Sequence, residues 1–353
     1  MRLELGEEAA EFGRQALLAL ETTGGDRLAG PGAAGGAGPD AVGQAGTGGA
    51  GRAGPGAEVE AVLEALGAWD LDPRADGDEL EAAAALCRAV GHRGIAHPVA
   101  GRLARPRGEG GRPWSPVVGG PAVDGLVVIP AGPAAAVGGT GLHWMAVDLD
   151  GNRSIARPRP GAGPGTLSGV VALDLEPIAA HGSPDGAGTG TAATLDVALG
   201  LVLPCWTLLG MLDRALLLTR EHVVQRQQFG RPLSSFQGVQ FQLTDAEVER
   251  AGADVLARHA LWSIQTRRDD AVADALAFRL AAVEAAEVVF RVAHQLHGAI
   301  GFCDESPRSW LSRLSQPVRR LPFGAATTRD ALASTVGRTG LAGLFDGAEA
   351  ART

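Results

Sequence analysis

Apolar side chains recur at helical spacing near both ends of the chain and give way to short β-prone runs in the middle. Leu3, Phe12, Ala16, Leu17 and Leu20 follow a helical period, which returns over residues 58–66 and 78–90. Between Pro113 and Pro177, glycine and proline cut the chain into short runs at 125–130, 142–149 and 170–175, the length and punctuation expected of strands. From Leu195 onward the pattern is helical again. Leu199, Val202, Trp206, Leu209, Leu212 and Leu216 form one stripe; Val248, Val255 and Leu261 continue it, as do Leu276, Leu280, Val283, Phe290 and Leu296. Three long amphipathic helices and a shorter tail predict an antiparallel bundle. The expected architecture is α+β and multidomain. A helical domain spans 1–108, a small middle β domain 109–190 and a C-terminal four-helix bundle 191–345, followed by a tail at 346–353.

Composition modifies this outline in a few places. A hydrophobic share of 45% over 353 residues suffices for two or three packed cores. Residues 24–56 hold fourteen glycines, bury little and read as a flexible insertion within the first domain. The net charge is −9 with dispersed basic residues, so no cationic face for nucleic acid is expected. The six tryptophans form no stacking ladder for bases. Cys87, Cys205 and Cys303 are widely spaced, without metal-ligand or disulfide patterning, and Cys205 falls on the apolar stripe. The acidic N-terminus lacks the basic start of a signal peptide, and no apolar run reaches the roughly 18 residues that span a bilayer. A cytoplasmic location without membrane contact is expected.

The chemistry concentrates at the end of the first long C-terminal helix, in QRQQFGRPL. Gly230 suits a helix C′ position, Pro232 blocks continuation, and Ser234 or Ser235 can cap a next helix opening at Phe236-Gln237. Arg226 then sits in the last turn of one helix and Gln237 in the first turn of the next. A guanidinium and an amide on one side of a short loop can grip a pyrophosphate. The plainer alternative is an arginine complementing the helix dipole beside an exposed glutamine. His294 and His297 are three apart, but two ligands without a third make a poor metal site. His92 and His97 show no partner pattern.

The segment Arg-x-x-Phe-Gly-x-Pro-Leu-x-x-Phe-Gln at 226–237 resembles the acyl-CoA dehydrogenase family. A second segment agrees with it, Gln295-Leu-His-Gly-Ala-Ile-Gly-Phe302, followed by Glu305-Ser-Pro307 and Arg313. The resemblance covers the C-terminal third well, the β domain loosely and the N-terminal helices in pattern alone. It implies an acyl-CoA dehydrogenase-like fold and FAD shared at a subunit interface. It further implies that Arg226, Phe229, Gln237, Gln295 and the backbone at Gly298 and Ala299 contact the ADP half of a neighbour's flavin. Ala299 stands where the family has a second glycine.

The resemblance also exposes losses. The family's catalytic glutamate, the base that takes the α-proton of the thioester, aligns with Pro322 or, in the alternative placement, with Gly200. Asp196, one turn before Gly200, is the one conceivable substitute, and Leu201 replaces the adjacent arginine. The flavin-ring segments of the β domain are missing, and residues 105–120 stand in that region. This pattern resembles the short, degenerate subunits of α2β2 acyl-CoA dehydrogenases of actinobacterial steroid side-chain degradation. The chain is therefore expected to complete the FAD site of a homologous catalytic partner acting on an acyl-CoA, itself lacking a base. The alternatives are a self-sufficient homo-oligomer using Asp196 and a non-catalytic scaffold.

Overall fold

The computed structural model describes residues 4–22, 55–104, 116–118, 125–130, 144–158, 165–167, 170–180, 191–303, 306–320 and 322–339. The expected glycine-rich insertion, apart from its last two residues, and the tail at 346–353 lie outside the described residues. The described chain runs from helices α1 (Glu7–Thr22), α2 (Pro55–Ala65), α3 (Gly77–Arg93) and α4 (Val99–Leu103) into six strands. It continues into five helices, α5 (Thr191–Gln225), α6 (Gln237–Gln265), α7 (Ala271–His297), α8 (Pro307–Arg320) and α9 (Ala325–Thr339).

Helix α3 begins where the Asp76 carboxylate accepts the amides of Asp78 and Glu79, both at 2.9 Å, and ends at Gly94 in the left-handed region (φ 65°). Its interior is rich in buried alanine, which lets it lie close against α5. The two helices touch through glycine. A Cβ on Gly91 would stand 1.9 Å from the Thr207 carbonyl oxygen, and one on Gly210 1.9 Å from that of Arg88. Only glycine permits backbones this near.

The strands are β1 (Pro116–Val118), β2 (Gly125–Pro130), β3 (Trp144–Val147), β4 (Arg153–Pro158), β5 (Gly165–Leu167) and β6 (Val170–Ala180). They form one sheet in the order β1-β3-β4-β6-β2, with β5 also on β6; β1 and β3 are parallel and every other pair antiparallel. The expected runs at 125–130 and 170–175 are strands, the second extending to Ala180, while β1, β4 and β5 carried too little alternation to be foreseen.

Helix α5 is the spine. All six residues of its expected stripe are buried, and Cys205 and Trp206 lie fully inside. Its length and apolarity would suffice to cross a membrane, yet 78% of its most apolar stretch is buried in the protein, which makes it a core helix. Helix α6 differs from expectation. Of Val248, Val255 and Leu261 only Leu261 is buried; Val248 is 62% exposed and Val255 50%. The inner face is instead Ala246, Ala253, Ala257, Ala260 and Ile264. Small side chains bring α6 close to its neighbours, so the larger apolar ones are turned outward, two residues and thus about 200° round the helix. A charged network joins three helices: Arg88 of α3 pairs with Asp213 of α5 and Asp254 of α6, both at 2.6 Å, and Arg250 and Arg258 complete it. Burial would raise the Asp254 carboxyl, but the Arg88 and Arg258 guanidiniums hold it below its ordinary value.

Candidate functional site

Helix α5 stops at Gln225, and the following residues form a two-stranded hairpin, β7 (Gln227–Gln228) with β8 (Arg231–Pro232). Phe229 (φ 53°) and Gly230 (φ 77°) are its two-residue turn, with both central residues left-handed as a type I′ turn requires. The expected C′ glycine is therefore a hairpin glycine. The alternation of Gln-Gln and Arg-Pro about a Phe-Gly pair was the missed signal. Neither serine caps α6: Ser235 Oγ donates to the Pro232 carbonyl at 2.7 Å, and Phe236 holds the N-cap position without a side-chain bond.

This hairpin places the candidate residues at its ends. Arg226 keeps a helical bond through its amide to the His222 carbonyl (2.8 Å), while its own carbonyl accepts the Leu233 amide (2.9 Å). Gln237 opens α6 a few residues on, and the side chains of Arg226 and Gln237 are both exposed. Phe229 stands at the tip, 90% exposed, its ring edge-on to Phe236 at 6.2 Å; Arg231 lies over the Phe236 ring at 4.1 Å. A bulky residue in the left-handed region costs on the order of 1–2 kcal/mol.

The second motif begins at the end of α7. Gln295 is exposed, and Gly298 (φ 60°) turns the chain into a 3-10 helix at Gly298–Phe302 that holds Ala299 outside. A Cβ added at Gly230 or Gly298 would meet nothing within 4 Å, so both turns are open to an approaching molecule. Ile300 and Phe302 are also exposed, at 53% and 68%.

The two motifs are joined by a pair of histidines that sequence reasoning passed over. His222, one turn before Arg226, and His297, immediately before Gly298, have ring centroids 4.4 Å apart. His297 is buried; its Nδ1 donates to the Ala293 carbonyl at 2.6 Å, and burial first of all pushes its pKa down to about 4. His222 is lowered by burial and then by the Arg308 and Arg226 guanidiniums. His294, set aside on the sequence as a poor metal ligand, meets Ser312 Oγ at 3.0 Å and stacks on Phe302. No three metal-ligating side chains gather among the described residues.

At the opposite end of α5, the positions expected to hold a base are arranged differently. Asp196 is 1% exposed, and both its oxygens are engaged: Oδ1 by Arg74 at 2.5 Å and Oδ2 by Arg153 of β4. Arg74 also donates to the Ala104 carbonyl at 2.6 Å, so this carboxylate ties three segments together. Gly200 is half-buried, and Pro204, four residues on, has no N–H to offer its carbonyl. Pro322 is half-buried beside Phe323, whose carbonyl accepts from the buried Arg279 at 2.7 Å.

Residues 191–329 match the family model of the acyl-CoA dehydrogenase C-terminal domain. Acyl-CoA dehydrogenase FadE27 of Mycobacterium tuberculosis is 32% identical over 138 residues, which is 37% of this chain and 34% of that protein. The chain thus spans about a third of that relative's length, and 23% and 30% of two further curated relatives. Over the whole chain the likeness is one of fold. The crystal structure of the ChsE4-ChsE5 complex from Mycobacterium tuberculosis superposes with a TM-score of 0.69 at 19% identity, covering 97% of this chain and 100% of that one. A Tcur3481-Tcur3483 steroid ACAD G363A variant gives 0.71 at 19% identity, covering 95% and 99%. The helix–sheet–helix order is the acyl-CoA dehydrogenase fold.

Proposed function

We propose that this chain is a subunit of a FAD-dependent acyl-CoA dehydrogenase that completes the flavin site of a homologous catalytic partner. The observation that carries the reading is the contrast between an exposed guanidinium, two exposed amides and two open glycine turns in the two motifs, and positions without a free carboxylate where a base would stand. Among the described residues, Arg226, Gln237 and Gln295 supply one cation and amide donors, and the backbone at Gly298 and Ala299 allows close approach. Such a set suits the pyrophosphate and adenosine of a dinucleotide. Bound FAD would supply the hydride acceptor for dehydrogenation of an acyl-CoA thioester. The chain's own residues bind and orient the ADP half, and Phe229 packs on it or on the adjoining subunit.

The proton acceptor is assigned to the partner. Asp196 is held by two guanidiniums that occupy both its oxygens, so it is a tie between segments rather than a free base. Two of the similar folds belong to a ChsE4-ChsE5 complex and to a Tcur3481-Tcur3483 steroid ACAD, which supports a paired assembly acting on a steroid-type acyl-CoA. The test is flavin absorbance of the chain purified alone and after co-expression with a family member encoded beside it. Little FAD alone and a yellow, active complex together are expected. Stoichiometric FAD with turnover by the lone chain would overturn the reading. Unchanged flavin content in an assembled Arg226→Ala complex would leave a scaffold role instead.

A further inference from the structure

The histidine pair beneath the two motifs sits where charge on a bound pyrophosphate would be felt. His222 and Arg226 are one helical turn apart on α5, and the Arg226 amide is bonded to the His222 carbonyl. Around the His222 ring, the described residues that bear on its charge are Arg226 just past the end of α5, Arg308 of α8 and His297 of α7, whose ring is tilted at 35° to it. Glu221 on α5 acts chiefly on Arg308, which Arg214 also faces. The pocket of the ring is thus cationic, and His222 is partly exposed and open to solvent protons. His297 cannot share that proton readily. It is buried, its Nδ1 is committed to Ala293, and the Leu218 backbone also bears on its ring.

We propose that pyrophosphate binding at Arg226 is proton-coupled: His222 takes up a proton from solvent when the diphosphate seats, and the adjoining His297 stays neutral as its support. The inference rests on the reading that Arg226 faces the ADP half of FAD, and adds a regulation of that site. The physical reason is reciprocity. With no anion present, Arg226 and Arg308 disfavour a third positive charge on His222. A diphosphate diester neutralises Arg226 and attracts the imidazolium, so the histidine binds a proton more readily in the complex. The anion then binds more tightly wherever the proton is present. His222 is a positioning residue here: it acts on the cofactor through Arg226.

The sign follows directly. The pKa of His222 lies below its ordinary value in the free protein and rises on binding, so affinity strengthens as pH falls between the bound and free values and levels off below them. One proton limits the slope to about tenfold per pH unit, and about 3- to 10-fold in total is expected between pH 8 and 5.5. The pyrophosphate diester of FAD has no proton of its own to exchange in this range. The experiment is calorimetric titration of FAD into the flavin-stripped complex of the full chain with its catalytic partner. It is run from pH 5.5 to 8 and, at pH 6.5, in two buffers of different ionisation heat. The wild type is expected to take up a fraction of a proton per FAD, and His222→Gln to lose that uptake and flatten the pH profile. A pH-independent wild-type affinity overturns the coupling even if the variant fails to assemble, as does uptake that His222→Gln leaves intact. Arg226→Ala separates the two levels. If it weakens FAD at every pH while the wild-type profile is flat, the coupling alone fails; if it leaves FAD binding unchanged, the underlying reading fails.

Discussion

The two ends of α5 handle charge in opposite ways. At the N-terminal end a carboxylate is fully buried between Arg74 and Arg153, every oxygen engaged, and three segments of the chain meet on it. At the C-terminal end, Arg226 lies exposed beside a strained turn and a histidine ring crowded by cations. Interactions satisfied within the molecule build structure; donors presented to the outside, without a matching acid among the described residues, are free for a binding face. The comparison separates an end of the helix that is closed on itself from one that the proposed function assigns to another molecule.

The largest effect is expected at the finished end. Asp196→Ala leaves two guanidiniums facing each other in a buried space and is expected to cost about 3–5 kcal/mol in chemical denaturation. A variant of native stability that lost only turnover would instead reverse the comparison and make Asp196 the base. Next comes the helix crossing: Gly210→Ala or Gly91→Ala drives a methyl into a backbone carbonyl and is expected to cost about 2–3 kcal/mol, read as a fall in Tm. Acid sharpens the contrast further. His92 and His297 are held near pKa 4, chiefly by burial, against about 6.5 in the unfolded chain. Unfolding therefore takes up protons, so their contribution is complete above pH 6.5 and is lost as pH falls towards 4; His297→Phe should shift the acid unfolding midpoint downward. The smallest effects belong to the open face. Arg226→Ala and Val248→Ser should each alter stability by no more than about 0.5 kcal/mol, since neither side chain supports the fold. The first should nonetheless lower flavin retention in the complex at least tenfold, measured by absorbance after gel filtration.

Much of the architecture was legible because periodicity reports burial. The stripe from Leu199 to Leu216 is the core, and the runs at 125–130 and 170–175 are strands. What failed did so for identifiable reasons. Valine outranks alanine in a hydrophobic pattern, so Val248 and Val255 suggested the inner face; close packing had selected Ala246, Ala253 and Ala257 for it. Gly230 was read as a helix stop because Arg226 and Pro232 bracket it, yet a two-residue hairpin uses the same residue types. The motifs named Arg226, Gln237 and Gln295, but nothing local could pair Asp196 with Arg74, 122 residues away, or bring His222 against His297. Short motifs can name exposed candidates; the groups packed beneath them are tertiary and leave no short signature.

The glycine crossing has a mechanical consequence. With Gly91 and Gly210 in place the backbones of α3 and α5 meet without side chains between them, so there is no compliant layer in which the two can slip or roll. Helix α5 behaves as a pinned spar. Its buried tie at Asp196 fixes one end, the crossing fixes the middle, and a load applied at the hairpin is carried into α3 rather than absorbed. A molecule pressed against Phe229 would therefore meet a stiff arm, whose position is set near the centre of the protein.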